Sequence, residues 1–315
     1  MSTPAKPNEL KLTRVYDAPV RAVWEAWTDT EQVAQWWGPR GFTITTHSKD
    51  LRPGGHWSYT MHGPDGTDYE NKTIYHEVEE CAKLVYDHGG NDDRPPLFRV
   101  TVLFHEEGGK TTMEMTMAVA TPEAIEHIRK VIKQANGNST WDRLAEYLEK
   151  EDTGKERFVI NRTFAASPEA VFSMWADPAH IAQWLPPKGF TMEFLTTDVR
   201  PGGRSFYRMS NGEMTMYGAS EYLVIEPPAR LVYRQQFCDE HGAPGRHPMA
   251  PLFPETMLTS VEFVAEEPGS TRVTVTCEPY RATAEEISVF TQARGGMTVG
   301  WNSSFDELEE TLGVR

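Results

Sequence analysis

Trp36-Trp37-Gly38-Pro39-Arg40-Gly41-Phe42 begins a motif that occurs twice in the chain. The second copy is Trp184-Leu185-Pro186-Pro187-Lys188-Gly189-Phe190. Residues 14–55 and 162–203 align without a gap at an offset of 148 residues, and 18 of 42 positions are identical. A period of this length is that of a whole domain and not of a solenoid unit. The repeat therefore predicts two tandem copies of one fold, over residues 1–150 and 155–315.

The composition restricts the partners that this chain can have. The formal net charge is −15 over 315 residues, which disfavours nucleic acid, because affinity for phosphates depends on lysine and arginine. No apolar run approaches the roughly 18 residues of a membrane-spanning helix, so no membrane insertion is expected. The three scattered cysteines, Cys81, Cys238 and Cys277, are typical of a reduced, cytoplasmic protein. The spacing of His241 and His247 near Cys238 matches no zinc signature, and no metal or cofactor is predicted.

The hydrophobic pattern of the first copy predicts an α+β domain. Leu10 to Tyr16 alternates like a strand, two short helices follow, and about six strands then extend to Val119. Helical patterns close the copy at residues 122–135 and 138–150, and the second copy closes near 302–312. This order favours an antiparallel sheet wrapped on a long C-terminal helix. The charged segment 149–156 is interpreted as the linker.

The repeated motifs resemble the SRPBCC, or START-like, superfamily, and within it the homologues of the activator of heat-shock protein 90 ATPase. The matching residues of the first copy are Arg14, Ala18-Pro19, Val23-Trp24, Trp27, Trp36 to Pro39, Asp50 to Trp57, Pro64 to Gly66 and Leu84 to Tyr86. Those of the second are Arg162, Val171-Phe172, Trp175, Trp184, Asp198 to Gly203 and Leu231 to Tyr233. The resemblance implies a helix-grip fold. In this fold a curved antiparallel sheet wraps around a long C-terminal helix, and a cavity lies between the sheet and the helix.

Two classes of function follow from this resemblance. Many START-like proteins bind an apolar or aromatic small molecule in the cavity, and some cyclise, hydrate or otherwise transform it; tandem members include aromatase/cyclases that act on polyketides. The activator itself docks on a chaperone, so a protein-interaction module of the chaperone ATPase-activator type is the alternative. The fold does not decide between the two classes.

Strand alternation predicts which side chains face the cavity. In the first copy these are Trp57, Tyr59, Met61, Tyr86, His88, Met113, Met115 and Met117. In the second copy they are Tyr207, Met209, Tyr233, Gln235, Val275 and Cys277. The same pattern also fits ordinary core residues, but the polar members among apolar neighbours are typical of a small-molecule site. His88, expected to be partly solvated, is the acid–base candidate because an unperturbed histidine titrates near neutrality, and Tyr59 is the second catalytic candidate.

Differences between the copies predict cavities of unequal size and polarity, of which at most one is catalytic. Trp57 corresponds to Ser205, His88 to Gln235 and Met117 to Cys277. The second copy also has a longer loop, Cys238 to Pro254, of a length that is usually functional or disordered. Arg14 and Arg162 lie on the apolar side of their strands. We expect Asp29 and Asp177 to be their carboxylate partners.

Overall fold

The computed structural model describes residues 6–125, 128, 130, 139–152, 157–267 and 269–314. The chain divides into two units, one up to residue 154 and one from residue 155 onward. Each unit has its own sheet and its own hydrophobic core. This confirms the predicted α+β class and the tandem repeat of one fold.

The first unit is a single antiparallel sheet whose strand order is β1-β7-β6-β5-β4-β3-β2. Its elements in chain order are β1 Glu9–Tyr16, α1 Val20–Thr28, α2 Thr30–Trp36, β2 Thr43–Lys49, β3 His56–His62, β4 Asp68–Glu79, β5 Lys83–Gly90, β6 Phe98–Glu107, β7 Lys110–Ala118 and α3 Ser139–Asp152. On α3, Leu144 and Leu148 are buried in the same core as β3, β5 and β7 side chains. The helix therefore buries its apolar stripe against the sheet, as its periodicity predicts.

The second unit repeats this arrangement with the strand order β8-β14-β13-β12-β11-β10-β9. Its elements are β8 Phe158–Phe164, α4 Pro168–Ala176, α5 Pro178–Trp184, β9 Thr191–Thr196, β10 Arg204–Ser210, β11 Thr215–Glu226, β12 Arg230–Cys238, β13 Thr256–Glu267, β14 Ser270–Pro279 and α6 Ala284–Leu312. On α6, Phe290, Phe305 and Leu308 are buried among valines of β13 and β14. None of the helices in the described part of the chain is long and apolar enough to cross a membrane.

The paired short helices are fixed by aspartate caps. The Asp29 carboxylate accepts hydrogen bonds from the backbone N–H groups of the first turn of α2, and Asp177 does the same for α5. The prediction that Asp177 pairs with Arg162 is therefore wrong. Arg162 instead donates to Asp306 Oδ1 and Asn302 Oδ1 of α6, both at 2.9 Å, and so ties β8 to α6. In the first unit Asp29 likewise caps a helix, and Arg14 is buried on β1.

The last helix is much longer than the sequence pattern indicates. α6 has 29 residues and begins at a capping box in which Thr283 and Glu286 bond each other's backbone N–H. The prediction of a start near residue 302 is wrong because Gly295, Gly296 and Gly300 weaken the helical signal in the middle of α6. The cap and the buried Phe290 hold the N-terminal half in helical form despite these glycines.

Two predictions concern the end of the first copy. The segment 149–156 was expected to be a linker, but α3 continues to Asp152, since glutamate and lysine are good helix formers however charged the segment is. The predicted helix over 122–135 is observed at residues 122–125. Most of its remainder, and residues 153–156 of the linker, lie outside the described residues.

Candidate functional site

The two units present the same pattern of tyrosines on the inner face of the sheet, the face toward the helices. Tyr75 of β4 pairs with Tyr86 of β5, and at the equivalent positions Tyr222 of β11 pairs with Tyr233 of β12. Tyr59 of β3 and Tyr207 of β10 complete the two sets. These tyrosines are buried in both units. What differs between the units is the set of side chains that surround them.

In the first unit two tryptophans fill the space beside Tyr59. The Trp57 ring stacks on the Tyr59 ring with centroids 4.0 Å apart, and Trp37 lies 5.3 Å from Trp57. Trp37 Nε1 also donates a hydrogen bond of 3.1 Å to Tyr59 Oη. Trp141 of α3 contacts Trp37 from the helix side, with ring centroids 6.3 Å apart. This region of the first unit is therefore packed with aromatic rings.

In the second unit both of these tryptophans are replaced by smaller residues. Leu185 follows α5 where Trp37 follows α2, and Ser205 of β10 stands where β3 has Trp57. Between α4, α5 and β9–β12 the structure has a cavity with about 420 Å³ of empty space including its open mouth, of which about 30 Å³ can hold the centre of a water molecule. The lining residues are Trp175, Ile181, Trp184, Leu185, Met192, Phe194, Tyr207, Ser220, Tyr222, Leu231, Tyr233 and Gln235.

The polar groups of this cavity are neutral hydrogen-bonding groups. Gln235 Nε2 donates to Tyr207 Oη at 2.7 Å, and Tyr222 Oη donates to Ser205 Oγ at 3.3 Å. Burial raises the pKa of Tyr207 to about 12. Burial likewise raises the pKa of Tyr222 and, more strongly, that of Tyr233. All three phenols therefore stay protonated near neutral pH.

One wall of the cavity contains a buried donor without a partner. Trp175 of α4 is 2% exposed, and within the described residues its Nε1 has no hydrogen-bond acceptor. Trp184, the neighbouring wall residue, differs because its Nε1 donates to the Met174 carbonyl at 2.9 Å. Unpaired buried N–H groups are rare in proteins and call for an explanation.

The structure brings together only part of the residue set predicted for the second copy. Tyr207, Tyr233 and Gln235 line the cavity as predicted. Met209 packs beside the lining residues Ile181, Met192 and Tyr207, whereas Val275 and Cys277 are buried in the main core of the unit. The helix-side wall and Tyr222 were not among the residues predicted to face the cavity. The repeat itself holds a signal for Tyr222, since Tyr75 and Tyr222 occupy equivalent positions.

The residues predicted for the first copy are all part of its hydrophobic core or border it. Trp57, Tyr59, Tyr86, Met113 and Met115 are buried, and Met61 and Met117 pack against them at partial exposure. His88 lies beside them on β5.

The structure corrects the expectation that His88 is partly solvated and titrates near neutrality. Its ring is surrounded by Trp37, Tyr86 and Phe98, and Nδ1 is buried without a partner among the described residues. Burial lowers the pKa of His88 to about 4, because the imidazolium would lose its hydration. His88 is therefore neutral near pH 7. Burial also raises the pKa of Tyr59.

The loop between β12 and β13 is tied to α6. Arg246 forms an ion pair with Glu286 of the α6 capping box, and Phe253 contacts Phe290, with ring centroids 6.1 Å apart. Among the described residues, no group of three or more histidine, cysteine, aspartate or glutamate side chains could hold a metal ion, here or elsewhere.

Comparison with known proteins gives matches to both copies. The family model described as Activator of Hsp90 ATPase homolog 1-like protein matches residues 17–149 and again residues 165–313. A solved structure from Nitrosomonas europaea is 24% identical, covering 48% of this chain and 100% of that chain with a TM-score of 0.43. One from Staphylococcus epidermidis is 26% identical, covering 49% and 96% with a TM-score of 0.42.

A solved structure with two domains also matches. The di-domain ARO/CYC BexL from the BE-7585A biosynthetic pathway is 14% identical, with a TM-score of 0.38 over 98% of this chain and 99% of that chain. No curated protein matches the sequence. Since the family model matches each copy over nearly its whole length, the chain belongs to the activator of Hsp90 ATPase homolog 1-like family, as a tandem of two such domains.

Proposed function

We propose that the second unit binds an apolar or aromatic small molecule in the cavity between α4, α5 and β9–β12. The observation that carries this proposal is the replacement of Trp37 and Trp57 by Leu185 and Ser205, which removes two large rings where the first unit is filled. Seven of the twelve lining residues are apolar or tryptophan, and the others supply a few hydrogen-bonding groups. Mostly apolar walls with a few polar groups are typical of small-molecule sites.

Binding without acid–base chemistry is the form of this function that we favour. The lining residues include no aspartate, glutamate, histidine or lysine, and the three tyrosines keep their protons near neutral pH. General acid–base catalysis works best with a group whose pKa lies near the operating pH. In the first unit, His88 is neutral with a pKa of about 4, so it also suits hydrogen bonding better than proton transfer.

The proposal is tested by filling the cavity with the side chain that the first unit uses. Methyl naphthyl ketone is a suitable aromatic probe, and a ligand at 100 times its Kd stabilises the folded state by about 2.7 kcal/mol. For a unit of this size such a gain raises the Tm by about 5 to 11 °C. We expect Leu185→Trp to abolish this rise, because the new indole occupies the ligand's place.

Leu195→Trp is the matched control, because it adds the same side chain to the same unit at a position on β9 that is 41% exposed. This variant should keep the full ligand-induced rise in Tm. An equal rise in Leu185→Trp and in the wild type would show that the probe binds elsewhere. No rise with the wild type across a panel of uncharged aromatic probes would contradict the proposal.

The interaction-module alternative predicts a different pattern. Docking on a chaperone uses an exposed surface, so recovery of a chaperone in a pull-down should be the same for the wild type and for Leu185→Trp. That result, together with no ligand-induced rise in Tm, would favour the alternative.

A further inference from the structure

The unpaired indole N–H of Trp175 indicates which kind of atom a ligand would present to it. A buried donor that loses its hydrogen bond to water is costly unless another acceptor replaces the water. Trp175 lines the cavity, its Nε1 is buried, and the described residues offer it no acceptor. A ligand atom that accepts a hydrogen bond would remove this penalty.

The equivalent tryptophan of the first unit has a neighbour that Trp175 lacks. Trp27 Nε1 is also buried without a conventional acceptor in the described part of the chain. The Trp27 ring lies nearly perpendicular to that of Trp37, at 74°, with centroids 5.5 Å apart. An aromatic face can accept an N–H group weakly. Trp175 also has one perpendicular aromatic neighbour, Phe263, at 80° with ring centroids 5.4 Å apart, but Leu185 in place of Trp37 offers no second face.

The remaining polar groups also favour a ligand that accepts hydrogen bonds. Tyr207 Oη accepts from Gln235 Nε2, which leaves the phenol proton of Tyr207 to be donated elsewhere. Ser220 adds a further hydroxyl to the same wall. Among the lining side chains, the Gln235 amide oxygen is the one group that can only accept. Donors therefore predominate over dedicated acceptors.

The charge of the ligand is restricted by the same set of residues. None of the twelve lining residues is lysine, arginine, histidine, aspartate or glutamate. An ion that entered this cavity would lose its hydration without gaining a counter-charge, and buried ions are tolerated only when they are paired.

We propose, building on the ligand-binding function above, that the cavity selects uncharged aromatic molecules with a carbonyl oxygen that accepts a hydrogen bond from Trp175 Nε1. The aromatic part of the ligand packs against Trp184, Leu185 and Phe194. The hydroxyl of Tyr207 is a second donor for a carbonyl oxygen. Carboxylates of the same shape are excluded by their charge.

Three probes of similar shape test this inference on the full chain by calorimetric titration near neutral pH. Methyl naphthyl ketone has a neutral acceptor, ethylnaphthalene has none, and naphthoate carries a charged one. We expect the ketone to bind about tenfold more tightly than ethylnaphthalene, the gain from one hydrogen bond to an otherwise unpaired donor. Naphthoate should bind at least about tenfold more weakly than the ketone.

Trp175→Phe removes the N–H and keeps an aromatic wall, so the preference for the ketone over ethylnaphthalene should fall to about twofold or less. Trp301→Phe is the matched control, because this tryptophan of α6 belongs to the same unit, contacts Phe305 and is not one of the lining residues. The control should retain the preference. If Trp175→Phe does not fold, the ranking of the three probes on the wild type still decides the inference.

The outcomes separate this inference from the proposed function. Equal affinity of the wild type for the ketone and ethylnaphthalene would contradict the role of Trp175 while leaving ligand binding in place. Tight binding of naphthoate would contradict the selection against charge. If none of the three probes binds, it is the proposed function itself that is wrong.

Discussion

The middle of α6 offers a direct test of the structure, because three glycines interrupt a helix of 29 residues. Gly295, Gly296 and Gly300 all lie within Ala284–Leu312, and a Cβ atom added at any of them would meet nothing within 4 Å. Glycine in a helix interior is less favourable than alanine by about 1 kcal/mol. Substituting all three by alanine should therefore stabilise the second unit by about 2 to 3 kcal/mol.

The measurement is thermal unfolding of the full chain by scanning calorimetry. For a unit of this size, each 1 kcal/mol corresponds to a rise of about 2 to 4 °C in Tm, so the triple variant should gain about 4 to 12 °C. The gain should be confined to the transition of the second unit, since no residue of the first unit is changed. A Tm equal to or below that of the wild type would contradict the open space that the structure gives these positions.

Gly203 is the matched control for this experiment. A Cβ at this position would lie 2.2 Å from the backbone oxygen of Asp198, so Gly203→Ala requires a backbone shift. The same chemical change should therefore lower the Tm here and raise it in α6. A gain at both sites would indicate a general effect of alanine on the unfolded chain and not on the helix.

Two further predictions concern buried polar groups. Arg162→Met should destabilise the second unit by about 1 to 3 kcal/mol in urea unfolding, because it leaves the partly exposed carboxylate of Asp306 without its partner. Arg208→Met is the control, because it breaks an exposed ion pair, and it should destabilise the unit by less than about 1 kcal/mol. Burial lowers the pKa of His88 to about 4, so the unfolded chain binds more protons between about pH 6.5 and pH 4. The contribution of His88 to the free energy of unfolding is therefore complete above about pH 6.5 and falls by up to about 3 kcal/mol toward pH 4. His88→Gln introduces the residue that the second unit has at Gln235. This variant should lack the loss when urea unfolding is measured at the two pH values.

The fold could be predicted from the sequence because the evidence for it is local and occurs twice. The motif at Trp36 and Trp184, the alternation of the strands and the helical stripe at Leu144 each depend on residues that are close in sequence. The same alternation identified Tyr207, Tyr233 and Gln235 as inward-facing residues of the second unit.

The cavity was harder to predict, because it forms where segments that are distant in sequence each contribute a smaller side chain to the same space. The change from Trp57 to Ser205 indicated unequal cavities, but the change from Trp37 to Leu185 acquires its meaning only when both positions are seen to border one space. Whether Trp175 lines a cavity or fills a core depends on those neighbours, and its own sequence context is the same in either case. The partner of Arg162 was also missed because α6 is distant in sequence and its start was misplaced.

The unequal distribution of tryptophan has a consequence for optical experiments on this protein. Six of the nine tryptophans belong to the first unit, and four of these, Trp27, Trp36, Trp37 and Trp141, have ring centroids within 5.4 to 6.3 Å of one another. Rings at such separations couple strongly, so near-ultraviolet circular dichroism should report mainly on the first unit. The proposed ligand would instead quench the emission of Trp175 and Trp184, against a constant background from the filled unit.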